Sequence, residues 1–261
     1  MRWVRFELDG KPAYGILEGD LVTEVEGDPF AGYRMTARRR ALASLKLLVP
    51  VEPRTFYAAG LNYAEHVTAM ARRRGEKPKL PPAADIGYRA NNALVAHGEK
   101  IVIPADAGER VQYEAELVAV IGKRARNLTE ADALSCVLGY TIGNDMSERD
   151  WQAQDRTLWR AKNTDTFKPM GPWIETDVDL DKLETIVRVN GAEVERFKTS
   201  SWIYGVTTFL ARMSRYVTLY PGDVVWMGTE GAPKNLKHGD TVEIEITGIG
   251  VLSNPVVREG V

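Results

Sequence analysis

The chain has 261 residues, of which 44% are hydrophobic and 27% are charged, as in ordinary folded proteins. Disordered, collagen-like and fibrous classes are therefore excluded, and the length suffices for a large buried core. Thirty-four basic and 36 acidic residues give a net charge of −2, so no overall positive field would attract nucleic acid, which is not expected as a partner.

The N-terminus and the cysteine content favour a cytoplasmic protein. The first ten residues, MRWVRFELDG, contain no apolar segment of the kind found in signal peptides. The single cysteine, Cys136, has no partner for an intramolecular disulfide. Apolar runs such as LVAVIG are much shorter than the roughly 20 residues of a membrane-spanning helix. We therefore expect a cytoplasmic location and no membrane partner.

Residues 1–50 are predicted to form a small N-terminal β domain. Three short apolar stretches are separated by Asp-Gly and Gly-Asp turns, which indicates a β-meander. These stretches are Trp3–Leu8, Ala13–Leu17 and Leu21–Val25. Residues 36–48 are basic with leucines at helical spacing, which predicts an amphipathic helix that ends before Pro50. The boundary to the second domain, residues 51–261, is placed near Val51.

The second domain is predicted to be mainly β with few helices. Eight strand-like runs are separated by turns rich in glycine and proline. They are residues 55–59, 101–103, 112–121, 138–144, 185–190, 224–227, 241–247 and 251–257. Only residues 129–135, with Thr129 as a cap, and residues 206–215 have a clear helical pattern. Closely spaced strands indicate a mixed β-sandwich or roll and not a doubly wound sheet.

Glu114 and Glu116 are candidate metal ligands. They lie two residues apart in a predicted strand, so both side chains point to one face. Both faces of this strand are largely apolar, and two neighbouring buried carboxylates are unfavourable unless a cation lies between them. A metal ion and a structural salt bridge both remain compatible with this pattern. Glu243 and Glu245 have the same spacing, but all alternate residues there are apolar, so this second pair is expected to face solvent.

Asp145 could supply a third oxygen ligand. It directly follows the predicted strand 138–144, and three carboxylates would suit Mg²⁺ or Mn²⁺. An aspartate at the end of a strand is more often a turn residue, so this alternative also stays open.

His66 is the candidate general base. It follows the strand 55–59 at a strand-to-helix junction, whereas His97 and His238 each precede a glycine and are expected in exposed turns. The segment that follows His66, residues 71–84, is basic and rich in proline. It is therefore predicted to be a mobile loop and a candidate lid.

Seven blocks in chain order resemble the fumarylacetoacetate hydrolase family. They are GLNYAEH, YEAELVAVIGKRARN, GYTIGNDMSERDWQ, AKNTDTFKPMGP, VNGAEVERF, LYPGDVVWMGTEGA and GDTVEIEITGIGVLSNPV. The resemblance covers residues 51–257, and residues 1–50 resemble the small N-terminal domain of bacterial members. It implies a mixed β-sandwich roll that is usually a homodimer.

The resemblance also implies the composition of an active site. It assigns Mg²⁺ or Mn²⁺ to the three carboxylates discussed above, which are Glu114, Glu116 and Asp145. It further implies that Lys162 is catalytic, that Gln152 lies near the substrate and that Thr229 helps to bind a substrate carboxylate.

The resemblance implies an enzyme that acts on a 2-oxo acid. Hydrolysis of a C–C bond in an acylpyruvate or a fumarylacetoacetate-like compound from aromatic breakdown is the leading expectation. In that reaction, water deprotonated near His66 would attack the distal carbonyl, and pyruvate would leave as an enolate stabilised by the metal and Lys162. Isomerisation, tautomerisation or decarboxylation of a related 2-oxo dicarboxylate is the alternative. A binding protein with weakened catalysis is a third interpretation.

Two residues depart from the family pattern. Hydrolytic members carry a glutamate three residues after the histidine, where this chain has Ala69. Of the nearby acids, Glu65 points elsewhere in a helix, so only Glu76 is a conceivable substitute. Arg89 replaces a lysine that many relatives carry before a proline, and its guanidinium could bind a substrate carboxylate. Both changes favour a substrate or reaction that differs from that of the commonest members.

Overall fold

The structure, a computed structural model, describes residues 1–261 apart from the side chains of Arg73 and Arg74. Its strands are β1 (Arg2–Leu8), β2 (Lys11–Glu18), β3 (Leu21–Asp28), β4 (Gly32–Ala41), β5 (Phe56–Ala59), β6 (Ile86–Tyr88), β7 (Leu94–Val95), β8 (Ile101–Ile103), β9 (Val111–Gln112), β10 (Ala115–Ile121), β11 (Val137–Asn144), β12 (Ser147–Glu148), β13 (Lys168–Glu175), β14 (Glu184–Val189), β15 (Ala192–Lys198), β16 (Val224–Trp226), β17 (Thr241–Ile246) and β18 (Gly250–Arg258). Its α-helices are α1 (Ala64–Arg74), α2 (Arg149–Gln154), α3 (Trp159–Asn163) and α4 (Val206–Ser214).

Two sheets pack face to face. The larger has the order β4-β3-β2-β1-β13-β11-β10-β16-β5-β6, with β7 paired to β13, and the smaller has the order β15-β14-β17-β18-β8. Leu117 and Ile142 from the larger sheet and Val187 and Ile244 from the smaller one belong to the same buried apolar cluster. The predicted mainly β sandwich is therefore confirmed. No helix in the described part of the chain is long and apolar enough to cross a membrane.

The N-terminal meander continues the larger sheet. Strands β1 to β4 pair in sequence, and β1 also pairs with β13, with Arg2 opposite Glu175. One sheet therefore contains strands from both sides of Val51. The division into domains 1–50 and 51–261 stays a prediction.

The amphipathic helix predicted for residues 36–48 is wrong. Strand β4 runs through Ala41, and Leu42–Ser44 forms only a short 3₁₀ turn. Arg38 and Arg40 lie two residues apart, and both donate to the buried carboxylate of Glu24 on β3. These cross-strand ion pairs fix an extended chain, which the helical spacing of the leucines did not reveal.

Three other predicted elements differ from the structure. The predicted strand 112–121 is interrupted between β9 and β10, at Tyr113 and Glu114. The predicted helix at 129–135 is wrong, because only a 3₁₀ turn at Ala133–Cys136 forms and Thr129 donates to Asp132. The predicted loop 71–84 is also partly wrong, since α1 continues to its left-handed cap at Gly75.

Candidate active site

Three buried carboxylates meet beside the paired strands β10 and β11. Glu116 on β10 lies opposite Gly143 on β11, and the backbone N–H of Asp145 donates to the Glu114 carbonyl over 2.9 Å. One carboxylate oxygen from each of Glu114, Glu116 and Asp145 lies within 4.8 Å of the others. The sequence-predicted acidic cluster is thus brought together by strand register and one backbone hydrogen bond.

The strand pairing at this cluster depends on a glycine and an asparagine. A Cβ added at Gly143 would lie 2.5 Å from the Trp226 ring, so only glycine fits against this indole. The side-chain oxygen of Asn144 accepts from the backbone N–H of Glu114 over 3.1 Å. Together these contacts hold the chain of Glu114 against the end of β11.

Asp145 is surrounded by three cations. Lys168 Nζ lies 2.7 Å from Asp145 Oδ1, and Lys162 Nζ lies 2.9 Å from Oδ2. Arg89 Nη2 also donates to Oδ2 over 2.9 Å. Burial opposes ionisation, but the charges of Arg89, Lys162 and Lys168 hold the pKa of Asp145 well below its usual range. Asp145 is therefore ionised at neutral pH.

Glu114 is paired with two cations. Lys162 Nζ lies 2.6 Å from Glu114 Oε2, and Arg149 Nη1 lies 2.7 Å from Oε1. Burial would raise the pKa of Glu114, but Lys162 and Arg149 outweigh it and hold the pKa at about 2. Arg149 is positioned in turn by the side-chain oxygens of Gln112 and Gln152, at 2.7 and 2.8 Å.

Glu116 makes no ion pair with any residue that the structure describes. Its Oε2 accepts the backbone N–H of Gly228 over 2.7 Å, and Gly228 has a φ of +83°, which favours glycine. Burial, together with the negative charges of Asp145 and Glu114, raises the pKa of Glu116 to about 8. Glu116 is thus mostly protonated at neutral pH, and another cation nearby would favour its ionised form.

The donor set could hold a metal ion. All three residues offer carboxylate oxygens, which are the ligands that hard divalent cations prefer. A bound cation would also supply the positive charge that Glu116 lacks. The residues therefore fit a divalent metal, although Lys162 and Lys168 already lie against two of the ligands.

A cavity of about 560 Å³ lies next to Arg149, the residue that is paired with Glu114. It is lined by residues from α1, β9 and the residue before it, α2, β15 and the segment after β16, which include His66, Ala69, Arg110, Gln112, Arg149, Gln152, Glu195, Glu230 and Gly231. Arg149 both lines this cavity and contacts Glu114, so it connects the open space with the carboxylate cluster.

His66 lies in the first turn of α1 and faces the cavity. Burial lowers the pKa of His66, and Arg149 and Lys162 add to this effect although Glu114 opposes it. The imidazole is therefore neutral at pH 7 and available as a base. Ala69, one helical turn later, also lines the cavity, so no carboxylate stands at that position.

The structure places six of the predicted site residues in two neighbouring groups. The carboxylate cluster contains Glu114, Glu116, Asp145 and Lys162, and the cavity is lined by His66 and Gln152. Arg89 is instead bound to Asp145, with only 9% of its side chain exposed. Thr229 is buried, with its hydroxyl 3.4 Å from the carbonyl oxygen of Gly231. The substrate-binding roles of Arg89 and Thr229 stay predictions.

The glutamates and histidines that the sequence analysis placed outside the site lie largely where it predicted. Glu243 and Glu245 alternate with buried residues on β17 and are partly exposed. His238 is exposed, whereas His97 is half-buried and its Nδ1 accepts from the backbone of Ser253. Glu76 is exposed and is not among the described residues that line the cavity.

Arg149, Lys168 and Glu195 were not identified from the sequence. Arg149 follows a strand that ends in polar residues, and this position was the only signal for it. Lys168 lies between a buried phenylalanine and a proline, and these neighbours do not predict an ion pair for the lysine. Glu195 lies on β15, where exposed and half-buried residues resemble an ordinary edge strand.

Comparisons with known proteins agree with this architecture. Residues 55–257 match the family described as "Fumarylacetoacetate (FAA) hydrolase C-terminal", and residues 1–50 match "Rv2993c-like, N-terminal". Protein Rv2993c of Mycobacterium tuberculosis is 38% identical over 258 residues, which cover 95% of this chain and 95% of that protein.

Two examples among the similar proteins carry names that describe a reaction. The crystal structure of 5-carboxymethyl-2-hydroxymuconate delta-isomerase from Mycobacterium smegmatis has a TM-score of 0.88 and 38% identity, with 99% of this chain and 100% of that chain covered. Oxaloacetate tautomerase Fahd2a, mitochondrial, of Rattus norvegicus is 33% identical over 244 residues, which cover 85% of this chain and 76% of that protein. The family match, these identities and the shared fold lead to one conclusion: the chain belongs to the fumarylacetoacetate hydrolase family.

Proposed function

We propose that this chain is a divalent-metal-dependent tautomerase or isomerase of a 2-oxo dicarboxylate. The observation that carries the proposal is that the neutral His66 lines the cavity with Ala69 one helical turn later on α1, where hydrolytic members carry a glutamate. Such a site can move a proton but lacks, on α1, the acid that would orient His66 to deprotonate water. The expected hydrolysis of a C–C bond stays a prediction.

The charges around the cavity suit a substrate with two carboxylates. Arg110 and Arg149 both line it, and the side chain of Arg110 is 55% exposed. Guanidinium groups bind carboxylates in a fixed, two-pronged geometry. Arg149 is paired with the buried Glu114, whereas Arg110 is paired with Asp150 at an exposed site. Because an exposed ion pair is weak, Arg110 is the more available group for a distal carboxylate.

A metal in the carboxylate cluster, Mg²⁺ or Mn²⁺, would act as a Lewis acid toward a 2-oxo acid. Lys162, which is buried between Glu114 and Asp145, places a positive charge where negative charge develops on an enolate. His66 accepts a proton from the substrate on the cavity side. These steps interconvert keto and enol forms without a water molecule as reactant.

The names of the relatives support the same reaction class. One is named as an isomerase of a hydroxymuconate and another as an oxaloacetate tautomerase. Both reactions relocate a proton on an unsaturated 2-oxo or 2-hydroxy acid.

The expected homodimer also remains a proposal, which light scattering of the purified protein would test.

The proposal is tested by following the ultraviolet absorbance of an enol. The enol of oxaloacetate and a 2-hydroxymuconate-type dicarboxylate are mixed with protein treated with chelator and then resupplied with Mg²⁺ or Mn²⁺. We expect the metal-loaded protein to accelerate the decay of at least one enol more than about 100-fold over buffer, and chelation to abolish this. Release of pyruvate from acylpyruvates, without any tautomerisation, would instead identify a hydrolase.

A further inference from the structure

A second ionisable side chain, Glu195, faces the cavity opposite His66. It extends from β15 of the smaller sheet, whereas His66 belongs to α1, so tertiary packing alone brings them to one space. Glu195 Oε2 is buried and accepts no hydrogen bond from the residues that the structure describes. A buried carboxylate oxygen without a partner is unfavourable and therefore calls for an explanation.

Gly231 shows how near the two side chains come to each other. A Cβ added at Gly231 would lie 3.6 Å from His66 Nδ1 and 3.8 Å from Glu195 Oε1. Both atoms thus border the small space that is left open because residue 231 has no side chain. A substrate carbon chain or a single water in this space would be within reach of both groups.

The surroundings shift the pKa values of Glu195 and His66 in opposite directions. Burial raises the pKa of Glu195 to about 8, and the charges of Glu230 and Glu114 add to this while the Tyr113 hydroxyl opposes it. Burial lowers the pKa of His66. At neutral pH the cavity therefore holds a protonated carboxylic acid and an unprotonated imidazole. Pairs of titratable groups whose pKa values are pushed apart in this way are typical of acid and base partners in proton-transfer enzymes.

Neither of the two neighbouring groups takes the place of Glu195. The Tyr113 hydroxyl lies near Glu195 and opposes the rise of its pKa, but Tyr113 Oη and Glu195 Oε2 are both buried and neither is hydrogen-bonded among the described residues. Glu230 also lines the cavity but is half-exposed, and burial and the charge of Glu65 raise its pKa. The backbone of Glu230 acts on His66 by raising its pKa, against the larger effect of burial.

We infer that Glu195 is a catalytic residue, the proton donor that works with His66 as the base in the keto–enol conversion of a 2-oxo dicarboxylate. This inference rests on the proposed function and specifies which side chains move the protons. It also accounts for a carboxylate whose buried oxygen has no hydrogen-bond partner in the described part of the chain.

All protons that move in this reaction are exchanged among His66, Glu195 and the substrate. His66 removes one proton from the enol oxygen, and the O–H electron pair becomes the carbonyl bond as the C=C electrons move to the adjacent carbon. That carbon takes the proton of the Glu195 carboxylic acid, which forms the new C–H bond. The pair is then imidazolium and carboxylate, and transfer of one proton from His66 to Glu195 restores the starting state. No oxidant, reductant or water is consumed.

The test compares Glu195→Gln and Glu195→Asp with the parent in the enol assay. Glutamine keeps the shape but has no acidic proton, so kcat should fall at least about 100-fold while KM and the affinity for Mn²⁺ change little. Aspartate keeps the acid and should recover part of kcat. Glu193→Gln is the matched control, because Glu193 lies on the same strand in a surface pair with Arg196.

The pH profile separates a chemical role from a structural one. In the parent, kcat should fall as pH rises past about 8, since the donor is then ionised, and this limb should be missing in Glu195→Gln. An active parent whose activity and profile survive Glu195→Gln would overturn the inference and leave the proposed function standing. A parent inactive on every enol tested would overturn the proposed function, and the inference with it.

Discussion

Lys168 Nζ lies 2.7 Å from Asp145 Oδ1, and the lysine side chain is completely buried. Two backbone carbonyls, those of Met146 and Phe167, accept hydrogen bonds from the same ammonium group. Burial lowers the pKa of Lys168 to about 8, although Asp145 opposes this. A fixed cation therefore occupies one oxygen of a candidate metal ligand, and a metal ion must bind next to it.

Replacing Lys168 by methionine should strengthen metal binding and weaken the metal-free protein. Two unit charges 4 Å apart repel by about 4 kcal/mol at an intermediate dielectric constant, so the Kd for Mn²⁺ should fall at least about tenfold. Without metal, Asp145 loses one of its three cations, and the melting temperature should decrease. Calorimetric titration with Mn²⁺ and thermal unfolding measure the two effects.

Lys182→Met is the matched control for this prediction. Lys182 is 81% exposed and pairs with Asp179 at the surface, where an ion pair contributes little to stability. Both the Mn²⁺ affinity and the melting temperature should stay at the parent values. Equal or weaker Mn²⁺ binding by Lys168→Met would show that Lys168 does not compete with the metal.

Glu116→Gln should remove most of the metal affinity. The substitution keeps the shape but takes one anionic ligand from the set, and it also removes the repulsion that raises the pKa of Glu116. The metal-free variant should therefore melt at or above the parent temperature, while Mn²⁺ should stabilise it far less than it stabilises the parent. Glu245→Gln is the control, because Glu245 has the same strand spacing but pairs with Arg188 at a half-exposed site. Parent-like Mn²⁺ affinity in Glu116→Gln would contradict the assignment.

Glu24 should make the N-terminal meander sensitive to acid. Burial would raise its pKa, but hydrogen bonds from Arg40 and Arg38 outweigh burial and lower it. A lowered folded-state pKa means that the ion pairs stabilise the fold above the unfolded pKa of about 4.3 and that this contribution disappears as pH falls through the folded-state pKa.

Glu24→Gln should therefore lower the free energy of unfolding by about 1–2 kcal/mol at pH 7. This value is smaller than for a fully buried ion pair, because solvent screens the charges of the two exposed arginines. Its stability should also change less than that of the parent below pH 4.3. Urea unfolding at pH 7 and at pH 3.5 measures both quantities. Glu26→Gln serves for comparison, since Glu26 lies on the same strand in an exposed pair with Arg34. Identical pH profiles for Glu24→Gln and the parent would exclude this role.

The carboxylate cluster could be predicted because its signal is local. Glu114 and Glu116 stand two residues apart among apolar residues, and burial of both strand faces follows from that pattern. The position of Asp145 depends on strand pairing, so its sequence context alone left a turn residue as an alternative, and the resemblance to a family assigned it to the metal ligands. The adjacency of all three follows from the register of β10 and β11.

The cations and Glu195 could not be predicted, because their partners are distant in the sequence. Lys168 belongs to a short apolar segment that pairs with β11, and only this pairing places it against Asp145. Glu195 reaches the cavity because the smaller sheet packs over the larger one. The helix predicted for residues 36–48 failed for the same reason, since the buried charge of Glu24 selects an extended partner strand.

Ala69 is the position from which to test the unconfirmed hydrolytic reaction. It lies one turn after His66 on α1, lines the same cavity and is exposed, so a longer side chain fits without steric conflict. A glutamate there would have the helical spacing that allows it to contact His66. Such a carboxylate could orient the imidazole to deprotonate a water molecule.

Ala69→Glu should raise the hydrolysis of acylpyruvates by about 10²-fold or more, the gain that general base catalysis brings, while tautomerisation rises little. His66→Ala in the same background should abolish the gain but leave Mn²⁺ binding intact, because His66 is not one of the three carboxylate ligands. Ala153→Glu is the matched control: Ala153 lines the same cavity from α2, so it adds a charge without the spacing to His66. Pyruvate release coupled to lactate dehydrogenase measures all four proteins. If the parent already hydrolyses an acylpyruvate rapidly and Ala69→Glu adds nothing, the missing glutamate is irrelevant, and Glu195 becomes the acid to replace next.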